Sequence, residues 1–445
     1  MNIKSSLCTL STQFNSAIGK AYKIRHELAW VIFGQGMAFI GGFLGIKLLT
    51  NLMSLESYGQ LALGLTIAGV MNMFLYGPLA NSIMRFYSIA KEQNEFNSFF
   101  YAVKRIHWRY AGIIVLIGIP LVVISGAWKG RGWGVLVIAA LLFGVVNGLN
   151  ASLASFNSAS RQRKIVALHQ AADTWLRPIF AAFVIYLLMD AGYAALFGFV
   201  LGTLAVVLSQ LFYARRDSAQ LVIGEIVNEE SRQRAFNNIS AYAKPFVLIA
   251  LLGALGIYSD KWLLLEIVGA KEVGIYAAIY QIGSAPVSIL TGILSQLMVP
   301  VIFERAGTMS NQAQIQRSSK LLFQTTMAFG LSIILVIMAA YYVGQPLIQA
   351  LTTPEIAKHY QILWIIVLAL GMSGLAELLS IVGFKRNLPQ AYIFPKAAQT
   401  VTFLALGYIS IKHFGILGAA IAGCVASAAY LIMVIVVNKK ILQNG

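Results

Sequence analysis

Apolar runs of about 20 residues, separated by short polar or charged breaks, recur along the whole chain. A membrane-spanning helix needs about 20 mostly apolar residues, so each run predicts one such helix. Twelve runs qualify, near 28–49, 59–82, 110–127, 133–155, 172–189, 193–213, 241–258, 274–300, 321–343, 359–383, 391–411 and 416–437. The pattern therefore predicts an all-α polytopic membrane protein with about twelve transmembrane helices.

The composition agrees with this interpretation. Of the 445 residues, 58% are hydrophobic and only 11% are charged, whereas soluble globular chains carry about 25% charged residues. So few charges cannot cover a water-facing surface of this size. A soluble enzyme, a secreted disulfide scaffold and a disordered regulator are therefore excluded.

The basic residues predict the orientation of the chain. Of the 33 Lys and Arg, 26 fall on one side of the predicted helices and six on the other. Cytoplasmic connections of membrane proteins collect Lys and Arg, so both termini are predicted to lie in the cytoplasm. The same bias accounts for the net charge of +17, and no nucleic-acid partner is needed to explain it.

A faint internal repeat divides the chain into halves. The segment around Gly59 resembles the segment around Gly274, at an offset of 215 residues. We therefore predict a six-helix lobe at 1–213, a cytoplasmic amphipathic linker at 214–240 and a second six-helix lobe at 241–445. Because each half begins in the cytoplasm, the repeats are parallel, which is one of the two repeat designs of secondary transporters.

Short motifs carry a family resemblance. Residues 49–59 (LTNLMSLESYG) resemble the start of Wzx-type polysaccharide flippases, which belong to the multidrug/oligosaccharidyl-lipid/polysaccharide exporter superfamily. The continuation from YGPL at 76–79 to IMRFY at 83–87 looks like the end of their second helix. The segment that begins VGIYA at 273–277 is similar to their eighth helix.

The resemblance implies a MATE-like fold, with two six-helix lobes around a central cavity that work by alternating access. It implies a flippase of the bacterial cytoplasmic (inner) membrane. The implied cargo is an oligosaccharide on undecaprenyl pyrophosphate, such as an O-antigen repeat unit, moved from the inner to the outer leaflet. Membrane lipids and other polysaccharide-assembly membrane proteins are the remaining expected partners. No cofactor is implied, and the coupling ion is not indicated.

Glu377 is the deepest acidic residue in the predicted helices. It lies about 8 Å from the midpoint between Lys358 and Lys385, at 1.5 Å per residue. Ionisable side chains at this depth are costly and are functional candidates by default. Two interpretations stay open, namely a proton-coupling carboxylate and a buried acid paired with a basic residue of another helix.

Asp173 and Arg177 stand four residues apart, before Pro178, at the predicted cytoplasmic end of the fifth helix. This spacing places both side chains on one helix face, where they can neutralise each other. The alternative is an arginine that faces the cavity and is tuned by its aspartate. Asp173 is then a second candidate for ion coupling.

Three further basic residues are predicted near helix ends. Arg85 ends the second predicted helix, Lys47 lies in the last turns of the first, and Lys261 follows the seventh. Long basic side chains at such positions reach the lipid headgroups. The functional alternative is a cationic rim that binds pyrophosphate, to which Arg177 would also belong.

Two other function classes compete with the flippase. A MATE-type drug or cation antiporter needs an acid near the midplane of its cavity, and the acids of the first half are not clearly placed there. A membrane glycan polymerase or ligase needs a sizeable outer loop, and the longest predicted one has about 15 residues. No metal-binding motif is present in the sequence.

Overall fold

A computed structural model of the protein describes residues 29–221, 228–294, 298–306, 312–386 and 388–443. The regular secondary structure of these residues is entirely helical. The predicted tail at 1–27 and residues 222–227 of the predicted linker lie outside the described residues. The α-helices are α1 (Ala29–Leu52), α2 (Leu55–Met71), α3 (Gly77–Gln93), α4 (Phe96–Lys129), α5 (Arg131–Ala159), α6 (Arg163–Leu187), α7 (Gly192–Leu221), α8 (Glu229–Ile267), α9 (Ala270–Ile293), α10 (Val299–Ala306), α11 (Gln312–Leu351), α12 (Pro354–Ala357), α13 (Ile362–Lys385) and α14 (Ile393–Gln443).

Local signals in the sequence fix several helix ends. Ser54 caps α2, because its side chain accepts a hydrogen bond from the backbone N–H of Ser57 at 3.2 Å. Asn228 caps α8 in the same way, through Ser231. Gly130 and Gly269 precede α5 and α9 with φ values of 98° and 103°, which a residue without Cβ adopts at low cost.

Among the described residues, nine helices are long and apolar enough to cross a membrane. One of them is continuous from α2 to α3 through a π-helical segment at Asn72–Tyr76. All twelve predicted spans overlap helices of the structure. The all-helical membrane fold is thus confirmed, while the count of twelve crossings and the side of the termini stay predictions.

The long helix α14 is a hairpin of two helices. Gly415 has φ 56° and ψ −132°, which interrupts the helix. Across it, the Ser410 hydroxyl donates to the carbonyl oxygen of Gly418 at 3.0 Å. The Lys396 ammonium lies 4.7 Å from the centre of the Tyr430 ring, although a straight helix would separate these residues by about 50 Å. The reversal lies in the break that the sequence predicts between 411 and 416.

The two halves of the chain meet where α2 crosses α9. A Cβ added to Gly59 would lie 3.0 Å from the backbone nitrogen of Gly274, and the converse distance is also 3.0 Å. Each added Cβ would also collide with a carbonyl oxygen of the facing helix, that of Ala270 or of Leu55. Both residue pairs obey the offset of 215. The helices therefore touch through equivalent positions of the repeat, as at a two-fold axis.

Helix α8 connects the halves on another side. Phe236 and Ile239, near its start, are buried among side chains of α3 and α4. Nearby, Arg105 donates to the side-chain oxygen of Gln233 at 2.8 Å. Its later residues pack against α9 and α14. The described part of the predicted linker is therefore helical, since α7 continues to Leu221 and α8 begins at Glu229.

Candidate functional site

Asp173 and Arg177 lie in the middle of α6, which corrects their predicted place at a helix end. The helix begins at Arg163, ten residues before Asp173, and ends at Leu187, ten residues after Arg177. The prediction began the span too late because it treated both charges as a polar boundary. In the structure they form an ion pair, and further hydrogen bonds to both side chains offset part of the cost of burying the two charges within the helix.

The Arg177 guanidinium is held by partners on its own helix and on two neighbouring helices, α5 and α7. Its Nε donates to Asp173 Oδ1 at 3.1 Å and to Thr203 Oγ1 of α7 at 2.9 Å. One Nη2 hydrogen bond goes to Asn147 Oδ1 of α5 at 2.7 Å, and Nη2 also pairs with Asp173 Oδ2. The Phe143 ring lies 5.0 Å below Cζ. The guanidinium therefore has a fixed orientation.

Asp173 has partners on the same three helices. Besides Arg177, it accepts from the Thr203 hydroxyl at 2.9 Å and from the Asn150 amide at 3.2 Å. Gln210 in turn donates to Asn150 at 2.8 Å. These donors hold the carboxylate in place between α5, α6 and α7.

Arg177 also lines a cavity of about 210 Å³ between α1, α2, α6 and α9. On the opposite wall, the Tyr58 hydroxyl donates to Gln281 at 3.3 Å. Of the guanidinium nitrogens, Nη1 has no hydrogen-bond partner among the described residues. Arg177 therefore combines a balanced charge with spare N–H donors, which can bind an anion in the cavity.

Lys261 lies inside α8, six residues before its end, rather than after a helix as predicted. The predicted helix stopped at the charges of Asp260 and Lys261, yet the two neutralise each other. The ammonium lies 3.1 and 3.2 Å from the two carboxylate oxygens and 4.4 Å from the centre of the Tyr280 ring. Both side chains are buried, so an anion would have to compete with Asp260.

A larger cavity of about 450 Å³ lies in the second half, between α8, α9, α13 and α14. Asp260 and Glu377 both line it. The Glu377 carboxylate pairs with the Lys396 ammonium at 3.7 Å, and the Glu377 side chain is 62% exposed. Hydroxyl and amide side chains complete the polar lining, namely Ser284, Ser288, Thr291, Ser373, Gln399 and Ser427.

Glu377 has a basic partner, as one of the two interpretations from the sequence requires. Glu377 lies fifteen residues after the start of α13 and eight before its end, so its predicted depth agrees with the helix bounds. Lys396 of α14 is a basic partner from another helix, but the Glu377 side chain is 62% exposed, so the acid is not buried as that interpretation expected. A coupling role for Glu377 stays a prediction.

The other two basic candidates lie apart from this site. Helix α3 continues to Gln93, eight residues beyond Arg85, so Arg85 does not end its helix as predicted. Its guanidinium lies 5.0 Å from the centre of the Tyr242 ring of α8. Lys47 is exposed in the last turns of α1 and lines a surface groove between α1 and α6.

The four basic candidates therefore do not form one rim. Lys47 lies near the start of α2, and about 45 Å of helix separates that start from Arg85. The sequence predicts basic residues near helix ends, but it does not show which helix ends lie close together in the folded protein. It also missed Asn147 and Asn150, although two polar residues three apart in an apolar helix were a usable signal.

A family model described as polysaccharide biosynthesis protein matches residues 24–305, more than half of the chain. Among curated proteins, none is similar enough to count as a match.

Solved structures of membrane transporters share the fold. Lipid II flippase MurJ, in an inward closed conformation, matches with a TM-score of 0.65 and 13% identity over 92% of this chain and 86% of that one. A mutant of the Vibrio cholerae MATE transporter VcmN matches with a TM-score of 0.60 and 15% identity over 97% and 99%. An inward-facing multidrug resistance MATE family transporter of the MOP superfamily gives 0.60, with 11% identity over 94% and 99%. The MATE-like fold expected from the sequence is confirmed.

Proposed function

The chain belongs to the polysaccharide biosynthesis protein family, and from that premise we propose that it is a flippase for a lipid-linked oligosaccharide. The cargo is an oligosaccharide on undecaprenyl pyrophosphate, such as an O-antigen or another surface-polysaccharide repeat unit. It moves from the inner to the outer leaflet of a bacterial cytoplasmic membrane by alternating access. Membrane lipids and other polysaccharide-assembly proteins are its proposed partners.

One observation carries this proposal. Arg177, near the middle of a helix, faces a cavity with its Nη1 donors unused by any residue that the structure describes. A guanidinium binds phosphate oxygens with charge-assisted hydrogen bonds, which are stronger than neutral ones. A pyrophosphate that crosses the membrane needs such a donor at depth, where water is scarce.

The glycan part of the cargo fits the second cavity. The cavity lies between helices of the C-terminal half, and its hydroxyl and amide side chains match sugar hydroxyls in hydrogen-bonding character. Helix α9 lies between the two cavities, since Tyr280 lines one and Gln281 the other. We place the pyrophosphate on the Arg177 side of α9 and the sugars on the Glu377 side.

Ion coupling, where it occurs, is assigned to Glu377 rather than Asp173. The Asp173 carboxylate already accepts from Arg177, Thr203 and Asn150. Glu377 has one partner, at 3.7 Å, and lies on an open cavity. A cation or proton can reach Glu377 without dismantling a hydrogen-bond network. Asp173 then serves to hold Arg177 in place.

The remaining basic candidates keep secondary roles in this proposal. Lys261 forms an ion pair with Asp260, so the two charges balance each other at the wall of the glycan cavity. Arg85 contacts Tyr242 near the predicted cytoplasmic end of α3, where the cargo enters. Lys47 lies on the membrane-facing side of α1.

A MATE-type drug or cation antiporter on the same fold is the second candidate. The acids Asp260 and Glu377 in the larger cavity favour it. Both acids, however, are paired with lysines, so the cavity offers a cation little net attraction. Arg177 is likewise paired with Asp173, but its Nη1 keeps N–H donors without a partner among the described residues, and such donors bind anions and not cations.

The test of the flippase is restoration of surface polysaccharide in a source strain whose own copy of the gene is deleted. The key variant carries Asp173→Asn together with Arg177→Gln, which removes the ion pair without leaving a lone buried charge. Loss of one charge-assisted bond to phosphate costs about 1.5–3 kcal/mol, so we expect about a tenfold to hundredfold loss of productive binding.

Arg305→Gln is the control, because it removes one exposed basic residue at the end of α10. At matched membrane levels, the control should restore the polysaccharide and the double variant should not. Full restoration by the double variant would remove Arg177 from cargo binding.

A further inference from the structure

Two exposed tryptophans mark the depth at which α4 lies in the membrane. Trp108 and Trp128 are 70% and 79% exposed, and no charged residue lies between Arg109 and Lys129. The two tryptophans are separated by about 30 Å of helix, which equals the hydrocarbon thickness of a bilayer. Tryptophan is enriched at both membrane–water interfaces. Trp108 therefore marks one interface, and Trp128 marks the other.

Three basic residues accompany Trp108. Lys104, Arg105 and Arg109 fall within two turns of α4, at the interface that is cytoplasmic on the predicted orientation. None of the three forms an ion pair with any residue that the structure describes. At the opposite interface, Lys129 pairs with Glu266. The Trp108 end of α4 thus has an unbalanced positive charge, which attracts anionic lipids.

Helix α8 positions the two arginines. Cζ of Arg105 and Cζ of Arg109 lie 4.7 and 4.5 Å from the centre of the Phe236 ring. Arg105 Nη1 also donates to Gln233 at 2.8 Å. A guanidinium packed on an aromatic ring keeps N–H donors along its edge, and such donors bind phosphate oxygens. Because Phe236 is itself buried between helices, the ring holds both guanidinium groups in place.

An exposed apolar stripe continues from these charges towards the middle of the membrane. Ile113, Leu116 and Ile117 are exposed and lie four, seven and eight residues after Arg109, on the same face of α4. The stripe extends about 12 Å from Arg109, within the roughly 15 Å of one leaflet. An acyl chain attached to a phosphate at Arg109 can follow it. A free phosphate or an acidic soluble protein would gain nothing from a stripe below the interface.

We propose that the contact between α4 and α8 is a binding site for an anionic phospholipid of the inner leaflet. The lipid phosphate accepts hydrogen bonds from Arg105 and Arg109, and the Lys104 ammonium adds a third positive charge. One acyl chain lies along Ile113 and Leu116. The inference goes beyond the proposed function and does not depend on the nature of the cargo.

The position of the site links lipid binding to the packing of α8. The start of α8 packs on α3 and α4 through Phe236 and Ile239, whereas its later residues pack against α9 and α14 of the second half. The arginines are positioned as described only while Phe236 lies between them and α8 stays on α4. A lipid that binds this arrangement stabilises it by mass action.

The test uses purified full-length protein in phosphatidylcholine nanodiscs that contain a small fraction of phosphatidylglycerol with a photoreactive acyl chain. Mass spectrometry should place crosslinks within residues 108–117. The variant Arg105→Gln with Arg109→Gln should lower this labelling about tenfold, because two cationic contacts to the phosphate are lost. Neither arginine is buried, so the variant is expected to fold.

The matched control is Lys439→Gln with Lys440→Gln. Both lysines are exposed near the end of α14, on the same predicted side of the membrane, so the control loses the same charge elsewhere. It should be labelled like the wild type. Photoreactive phosphatidylcholine should show no preference for residues 108–117. Equal labelling of the arginine variant, or phosphatidylglycerol crosslinks spread evenly over the apolar helices, would overturn the lipid site.

Thermal unfolding gives a second readout. Replacing part of the phosphatidylcholine by phosphatidylglycerol should raise the melting temperature of the wild type and of the lysine control equally. The increase should be smaller for the arginine variant. An equal increase in all three proteins would show only a general response to membrane charge, and it would contradict a specific site.

Discussion

The Asp173–Arg177 pair in the first half and the Glu377–Lys396 pair in the second half differ in exposure, contact distance and number of partners, while the second cavity also contains the buried Asp260–Lys261 pair. In the first half, the Asp173 and Arg177 side chains are 11% and 24% exposed, and further hydrogen bonds from two other helices hold them. In the second half, Glu377 is 62% exposed and meets Lys396 at 3.7 Å. The first pair is fixed by its additional hydrogen bonds, whereas the second pair consists of one long contact.

Because of this difference, we expect the two pairs to have different functions. A fixed guanidinium can present the same N–H donors to each cargo headgroup, which favours binding of an anion. A loosely held carboxylate on an open cavity can gain or lose a cation at little structural cost. On the proposed function, we therefore expect cargo binding in the first half and ion coupling in the second.

The largest expected effect comes from breaking the tight pair from one side. Arg177→Gln leaves the Asp173 carboxylate buried without its counter-charge, which costs about 3–5 kcal/mol of stability. Adding Asp173→Asn should recover most of that loss, because two amides can hydrogen-bond without a charge imbalance. Denaturant or thermal unfolding of the detergent-purified variants measures both values. Equal stability of the single and double variants would contradict this, because the unpaired charge of Asp173 would then not be the cause of the loss.

A smaller effect on stability is expected in the second half. Glu377→Gln breaks a long, half-open pair, so the loss should be below about 1 kcal/mol. Its transport, by contrast, should lose any dependence on the ion gradient, because an amide cannot titrate. The measurement compares polysaccharide export with and without a protonophore, and Glu355→Gln removes an acid outside the cavity as a control. Unchanged ion dependence in Glu377→Gln would exclude a coupling role.

The smallest effect is expected for a pair outside both cavities, whose two side chains are each about half exposed. Lys271 contacts Glu355 of α12 at 2.6 Å, and this hydrogen bond together with the lysine charge holds the pKa of Glu355 below its ordinary value. Since the folded-state pKa is lowered, the pair stabilises the fold above the unfolded-state pKa of about 4.3. That contribution is lost as the pH falls through the lowered value.

The melting temperatures of wild type and Glu355→Gln therefore should differ slightly at neutral pH and converge at about pH 3. A difference that grows as the pH falls would contradict the assigned sign.

Much of the fold follows from the apolar runs, because a run long enough to cross a membrane has few other stable structures. Two of the errors share one cause. The sequence ends a helix at a charge, whereas Asp173 with Arg177, and Asp260 with Lys261, neutralise each other inside helices. A neutralised pair removes the reason for the helix to stop.

The site was only half predictable for a related reason. The spacing of Asp173 and Arg177 places them on one face of a helix, and the structure agrees. Their other partners, such as Thr203, come from helices whose relative rotation no single sequence specifies. Likewise, the repeat offset of 215 relates Gly59 to Gly274, but only the packed structure shows that the two touch.

The most direct test of the central claim is transport by the purified protein. A fluorescent oligosaccharide on undecaprenyl pyrophosphate is placed in the outer leaflet of proteoliposomes, and an impermeant glycosidase reports the fraction still exposed. With the wild type, a protected fraction should appear over time, and the Asp173→Asn, Arg177→Gln double variant should resemble protein-free vesicles. Equal protection with wild type and with protein-free vesicles, or equal rates for wild type and double variant, would contradict the account.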